Sequence, residues 1–199
     1  MGKNRLEAFS DGVLAIIITI MVLELKVPHG DDLSALRALL PQFLSYILSF
    51  LYVGIYWNNH HHLLHAMRHV SGRVLWANLS LLFWLSLLPF AAGWMGENHF
   101  AALPTAFYGV ILECAALSYY ILQLAIVATD GPDSVLKAAL GADWKGKTSL
   151  GLNLIGITVA MWSQPLAQAM YTGVALMWLV PDPRIERILR GGPAPAGHR

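Results

Sequence analysis

Apolar residues fill the chain in long runs, and polar residues gather in short breaks between them. A bilayer core needs about 20 apolar residues as helix. The first run, about Leu6 to Val27, meets that length before Pro28, His29 and Gly30 stop it. Asp31, Asp32 and Ser34 then offer caps for a short helix leading to Pro41. Pro41 suits a helix start, where its missing N–H has no intrahelical bond to lose. A second, aromatic-rich run extends from Pro41 to about Met67, and Arg68 to Arg73 is a short basic turn. The third runs from Val74 to about Met95, closed by Gly96-Glu97-Asn98-His99, and the fourth from Ala102 to Ala128. Thr129 to Lys147 is the longest polar stretch, with Asp130-Gly131-Pro132-Asp133 predicting a turn. Two shorter runs, Thr148 to Ser163 and Leu166 to Val180, lie near the lower limit for spanning. The pattern predicts an all-α polytopic membrane protein. A single domain with six transmembrane helices covers residues 1–190, and a Gly/Pro/Ala-rich, disordered tail covers 191–199.

Charge supports the span count. Charged residues are 13% of the chain, against about 25% in a soluble domain. A cytoplasmic N-terminus puts Lys3, Arg5, Arg68, Arg73, Lys137, Lys145, Lys147, Arg184, Arg187, Arg190 and Arg199 inside, and only Lys26 and Arg37 outside. Eleven against two follows the positive-inside rule for an even number of spans with both termini cytoplasmic. Lys3 and Arg5 ahead of an apolar run imitate a signal peptide. Glu7 and Asp11 interrupt that run, and Leu23-Glu24-Leu25-Lys26-Val27-Pro28 is no small-residue cleavage site, so the segment reads as a retained helix. The lone Cys114 excludes an intrachain disulfide and a multi-cysteine zinc site. Trp94, Trp144 and Trp178 fall near expected interfaces, as anchors do.

The first helix carries the most distinctive polar residues. Asp11 costs roughly 2.5–3.5 kcal/mol near a helix centre in lipid, so it faces protein or water. At about 100° per residue, Ile16, Ile20 and Leu23 form one stripe, bordered by Thr19 and continued by Gly12 and Phe9; Asp11 lies nearly opposite. Such a stripe lines a pore or merely packs, and periodicity does not separate the two. Among His60, His61, His62, His65 and His69, the i, i+4 pairs can bind a metal, join a packing network or sense pH. No acidic residue stands close in sequence to complete a metal site, and none is expected. Glu113, in the middle of the fourth span, is either a functional carboxylate or a protonated group bonded to a neighbouring helix. Nothing points to nucleophilic catalysis or phosphate binding, so no enzyme activity, cofactor or nucleic-acid partner is expected.

Arg5-Leu6-Glu7-Ala8-Phe9-Ser10-Asp11 reads R-x-x-x-F-S-D, and Gly12-Val13-Leu14-Ala15-Ile16-Ile17-Ile18-Thr19-Ile20 continues it. This resembles the first-helix signature of the transmembrane-protein-175 family of potassium channels. Trp57-Asn58-Asn59-His60-His61-His62-Leu63-Leu64 is similar to that family's W-x-x-H-H-x-L-F pattern, with Leu64 in place of the commoner Phe. Asn78 and Pro89-Phe90 extend the likeness through the third helix. The resemblance implies a homotetramer in the cell membrane, surrounded by lipid and permeated by potassium. It implies a pore lined by the first helix, with Ile16 as the narrowest ring, Thr19 coordinating the ion, and Ile20 and Leu23 forming further layers. It implies a polar network of Arg5, Phe9, Ser10, Asp11, His60, His61 and Asn78. No T-V-G-Y-G filter is present, which excludes a carbonyl cage. Glu24, Asp31 and Asp32 at the outer end would concentrate cations. The alternatives are a proton-coupled transporter built on Glu113 and the second-helix histidines, and a membrane metalloenzyme using the histidine cluster.

Overall fold

A computed structural model describes residues 2–134, 136–137 and 144–179. The described residues are helical throughout: α1 (Lys3–Leu23), α2 (Leu33–Ala38), α3 (Leu40–Ala66), α4 (Gly72–Ser86), α5 (Leu88–Glu97), α6 (Ala102–Asp130), a 3-10 turn (Gly131–Asp133), α7 (Trp144–Val159) and α8 (Gln164–Leu179). The expected tail, the arginines at 184, 187, 190 and 199 and the end of the sixth run lie outside the described residues.

Local chemistry explains the boundaries. Asp32 caps α2 by accepting from the Ala35 N–H at 2.9 Å, as the acidic cluster predicts. Ser71 caps α4 and also bonds Thr129 Oγ1 at 2.8 Å, which ties the start of α4 to the end of α6. Gly131 ends α6 with φ of 75°, a value that favours glycine. The third run departs from the expected single helix. It breaks at Leu87 because Pro89, in the first turn of α5, brings no N–H to the ladder. Glu97, expected in the closing loop, is the last residue of α5.

Four helical rods are long and apolar enough to cross a membrane by length and composition: Lys3–Leu23, Leu40–Ala66, Gly72–Glu97 and Ala102–Asp130. The other two, α7 and α8, have 16 residues each. α7 begins and α8 ends where the described residues do, and the described stretch of each is about 24 Å at 1.5 Å per residue.

Lipid supplies no hydrophobic drive between helices, so close approach and interhelical hydrogen bonds hold such a bundle. Tyr171 of α8 is fully buried in a notch left by Gly109 and Gly156, with Gly109 directly against its hydroxyl. Tyr52 donates to the Tyr171 carbonyl at 2.6 Å, and the Ser49 and Tyr108 hydroxyls lie 3.0 Å apart. At Gly96, a Cβ would sit 2.5 Å from Ser45 Oγ and 2.8 Å from Gln42 Cα, so α3 and α5 meet backbone to side chain there. Gly96→Ala forces that seam apart and lowers stability by about 1–3 kcal/mol, the usual cost of overpacking. Gly151→Ala, with open space at its Cβ, stays neutral or gains up to about 1 kcal/mol of helix propensity. Thermal unfolding of the two variants in detergent checks the contrast.

Candidate functional site

The two faces of α1 have different fates. Leu6, Ser10, Leu14, Ile17 and Met21 are buried against the bundle, spaced i, i+4, i+8, i+11 and i+15 along one stripe. The opposite arc is bare: Ile16 is 60% exposed and Leu23 77%, whereas Leu14 and Ile17 are 2% exposed. Phe9, Gly12, Thr19 and Ile20 share the exposed arc. Thr19 Oγ1 donates its proton to the Ala15 carbonyl at 2.9 Å. Its lone pairs are therefore left for a cation on the exposed side.

A buried relay fixes the rotation of α1. Asn78 Nδ2 donates to Ser10 Oγ at 3.0 Å, and Asn78 Oδ1 lies 2.7 Å from His60 Nε2. Ser10 Oγ in turn donates to the Leu6 carbonyl at 2.8 Å. Ser10 and Asn78 are fully buried and His60 nearly so, and the chain joins α1, α4 and α3. Asn78 uses its donor and its acceptor on two different helices, so it serves as the hinge of the arrangement. Around the relay, Asp11 Oδ1 accepts from Trp57 Nε1 at 3.1 Å, and His61 Nδ1 lies 3.2 Å from Glu7 Oε1. Lys3 Nζ donates to the His65 carbonyl at 2.9 Å, pinning the start of α1 to the end of α3.

Five of the seven residues expected in the polar network thus meet a partner there: Ser10, Asp11, His60, His61 and Asn78. Phe9 and Arg5 do not join them; both lie on the exposed arc, and Arg5 has no side-chain hydrogen bond or ion pair among the described residues. Sequence reasoning missed Glu7, Lys3 and the Trp57 indole as partners. The signal for Glu7 was its place one turn before Asp11, on the same face of the helix. The histidines do not converge: among the described residues no group of three His, Cys, Asp or Glu is placed to hold a metal ion. His61 and His65 stack at 6.2 Å, while His69 turns to Asp130 at 3.5 Å.

At the opposite end of α1, Glu24 and Glu97 face a groove of about 530 Å³ that also touches Ile20, Phe90 and Trp94. Glu97, absent from the expected acidic set, forms an ion pair with Lys26. That hydrogen bond and charge, helped by Glu24, raise the Lys26 ammonium above its ordinary value. Asp31 and Asp32 are exposed. The Ala35 N–H and the Ser34 hydroxyl hold the Asp32 carboxyl below its ordinary value, so it keeps its negative charge into acid. On α6, Glu113 Oε2 is buried without a partner, and so is Asn153 Oδ1 on the adjoining α7.

Comparisons place this geometry. The family model described as endosomal/lysosomal potassium channel TMEM175 matches residues 5–89, the segment that contains the whole Ser10–Asn78–His60 relay. A potassium channel of Chryseobacterium sp. (strain P1-3) is 53% identical over 190 residues, covering 96% of this chain and 99% of that one. The chain belongs to the TMEM175 family. A crystal structure of a lysosomal potassium-selective channel TMEM175 homolog from Chamaesiphon minutus matches the fold with a TM-score of 0.79 at 25% identity, covering 89% of this chain and 96% of that one. The endosomal/lysosomal proton channel TMEM175 of Rattus norvegicus is 37% identical over 144 residues, which are 65% of this chain but 28% of that protein. Membership in the TMEM175 family makes the chain a multi-pass membrane protein, in agreement with its four long apolar rods.

Proposed function

We propose that the chain assembles as a homotetramer in the cell membrane and conducts potassium passively through a central pore lined by α1. The observation that carries this reading is the division of α1 into a locked stripe and a bare one. Ser10 anchors the first, and Ile16, Ile20 and Leu23 occupy the second. A single helix cannot enclose a channel, so the bare stripe needs copies of itself around an axis. The 53% identical relative called a potassium channel supports potassium as the permeant ion. In this reading α7 and α8 complete six spans, both termini are cytoplasmic, and no cofactor takes part.

Ile16 forms the constriction. A ring of isoleucines narrow enough to exclude bulk water gates by dewetting. Potassium sheds its hydration at lower cost than sodium, so an apolar ring discriminates without a carbonyl cage. Thr19 supplies oxygen lone pairs just outside the ring, and Ile20 and Leu23 continue the lining. Glu24, Asp31 and Asp32 concentrate cations at the outer mouth, and Glu97 joins them with its charge shared by Lys26. The exposed Arg5 stands at the inner end of the same arc, where a neighbouring subunit or solvent meets it.

Purified protein in liposomes tests the reading. Potassium flux follows its own gradient, exceeds sodium flux, and needs no proton gradient; Glu113→Gln leaves it unchanged. Flux that runs only with a proton gradient and vanishes in Glu113→Gln would transfer the case to a proton-coupled transporter.

A further inference from the structure

We propose that the cavity between α3, α6, α7 and α8 binds one neutral alkylphenol, its ring against the tyrosine walls and its hydroxyl donating to Asn153 Oδ1 at the deep end. The cavity measures about 230 Å³, against the roughly 150 Å³ that accepts benzene in an engineered apolar cavity. A benzene ring with a hydroxyl and small alkyl groups therefore fits. The space exists because α7 packs chiefly on α6 and α8, while α3 packs on α1, α5 and α8, so α3 and α7 face each other across a gap. Along its α3 wall, Tyr52 and Asn59 are seven residues apart, a length of about 10 Å. That shape suits a short, broad molecule. The described lining residues include none from α1, so the site is separate from the bare arc of that helix.

Most polar edges of the walls are already used within the protein. Tyr52 donates to the Tyr171 carbonyl at 2.6 Å, Tyr119 to the Asn59 carbonyl at 3.2 Å, and Trp178 Nε1 to Ser149 Oγ at 2.7 Å. Their rings are what they offer the cavity. Asn153 is different. It is 2% exposed and lines the deep end with Tyr52 and Val174, and its Oδ1 is buried without a partner. Its amide nitrogen is turned to Glu113. A buried acceptor left unpaired is costly, and the O–H of a ligand removes that cost. Tyr56 and Tyr119 already meet edge to face with centroids 6.0 Å apart, an arrangement that aromatic rings prefer and that a third ring extends. A charged ligand is disfavoured, because burying an ion among apolar walls costs far more than burying a neutral hydroxyl. Lys147 is exposed at the opposite end from Asn153, and no carboxylate is among the described lining residues. Water fits poorly: each molecule takes about 30 Å³ and needs two to four polar partners, so several would share walls that are mostly apolar.

Photolabelling of the purified full-length protein in lipid nanodiscs with a diazirine-bearing alkylphenol tests this. The expected label is saturable and maps to α6 around Tyr119 and α7 around Leu150. Propofol, an alkylphenol, displaces it about fivefold better than diisopropylbenzene, the same molecule without the hydroxyl, which is the worth of one net hydrogen bond. Asn153→Leu keeps the cavity apolar and erases the difference between the two competitors. Ala116→Phe fills the deep end without touching Asn153 and abolishes labelling of these segments. Any of four results overturns the proposal: unsaturable label spread over the lipid-facing helices, labelling that survives Ala116→Phe, equal displacement by the two competitors in the unaltered protein, or a hydroxyl preference that persists in Asn153→Leu. The second and third need no change at Asn153, so they decide the matter even if that variant fails to fold.

Discussion

Ile16→Asn raises sodium permeation relative to potassium, on the order of tenfold, which corresponds to about 1.4 kcal/mol of lost discrimination. The side chain it replaces is 60% exposed on the protomer, so the change costs the bundle little. In the tetrameric pore proposed above it would place four amides where the apolar ring stands. Those amides hydrate the constriction and offer oxygen to either ion, so the dehydration penalty that separates potassium from sodium falls. Reversal potentials under bi-ionic conditions measure the change. An unchanged potassium-to-sodium ratio would remove Ile16 from the constriction. Ile17→Asn, one residue away, is the control with the opposite character. Ile17 is 2% exposed, and that variant loses folding rather than selectivity.

Asn78→Leu has a large expected effect on both stability and flux. It deletes the hydrogen bond to Ser10 and the one to His60, and so unties α1 and α3 from α4. Two magnitudes compete. A buried group left unsatisfied costs about 1–3 kcal/mol in a soluble core. Measured interhelical bonds in a membrane average about 0.6 kcal/mol and reach about 1.7, because separated helices find other partners in the bilayer. The membrane value governs, and two bonds give a loss of about 1–3 kcal/mol. Ser10 keeps its bond to the Leu6 carbonyl, so His60 is the group stranded. Thermal unfolding in detergent reads the loss. Potassium flux falls as well, because α1 no longer has one preferred rotation.

The sequence made some of this legible and hid the rest for physical reasons. Elements set by local chemistry were readable: Asp32 as a cap, Pro41 in the first turn of α3, and Gly131 at the end of α6 each act through neighbours a few residues away. The four long rods were readable from length alone. The roles of the two faces of α1 were not readable from periodicity. In lipid both faces are apolar, so burial leaves no hydrophobic contrast; only the packing partners distinguish Ile17 from Ile16. The family resemblance pointed to residues that periodicity did not single out, and the structure joins three of them, Ser10, His60 and Asn78, by hydrogen bonds. It did not separate Phe9 and Arg5 from that network, because a motif records which residues occur and not which way they face. The pairings of Glu7 with His61, Asp11 with Trp57 and Lys26 with Glu97 link residues 46 to 71 positions apart, beyond any local rule. The break at Leu87 had a visible cause in Pro89, but an apolar run that continues on both sides conceals it.

Thiol accessibility tests the central claim, a pore lined by the bare stripe of α1, most directly. In a Cys114→Ala background, Leu23→Cys places a thiol at the outer end of that stripe and Met21→Cys places one on the locked stripe, where Met21 is 3% exposed. A charged thiol-reactive reagent applied from outside blocks potassium current in the Leu23→Cys channel, with potassium slowing the reaction, and leaves the Met21→Cys channel conducting. Leu23→Cys current that persists after complete labelling would contradict the account.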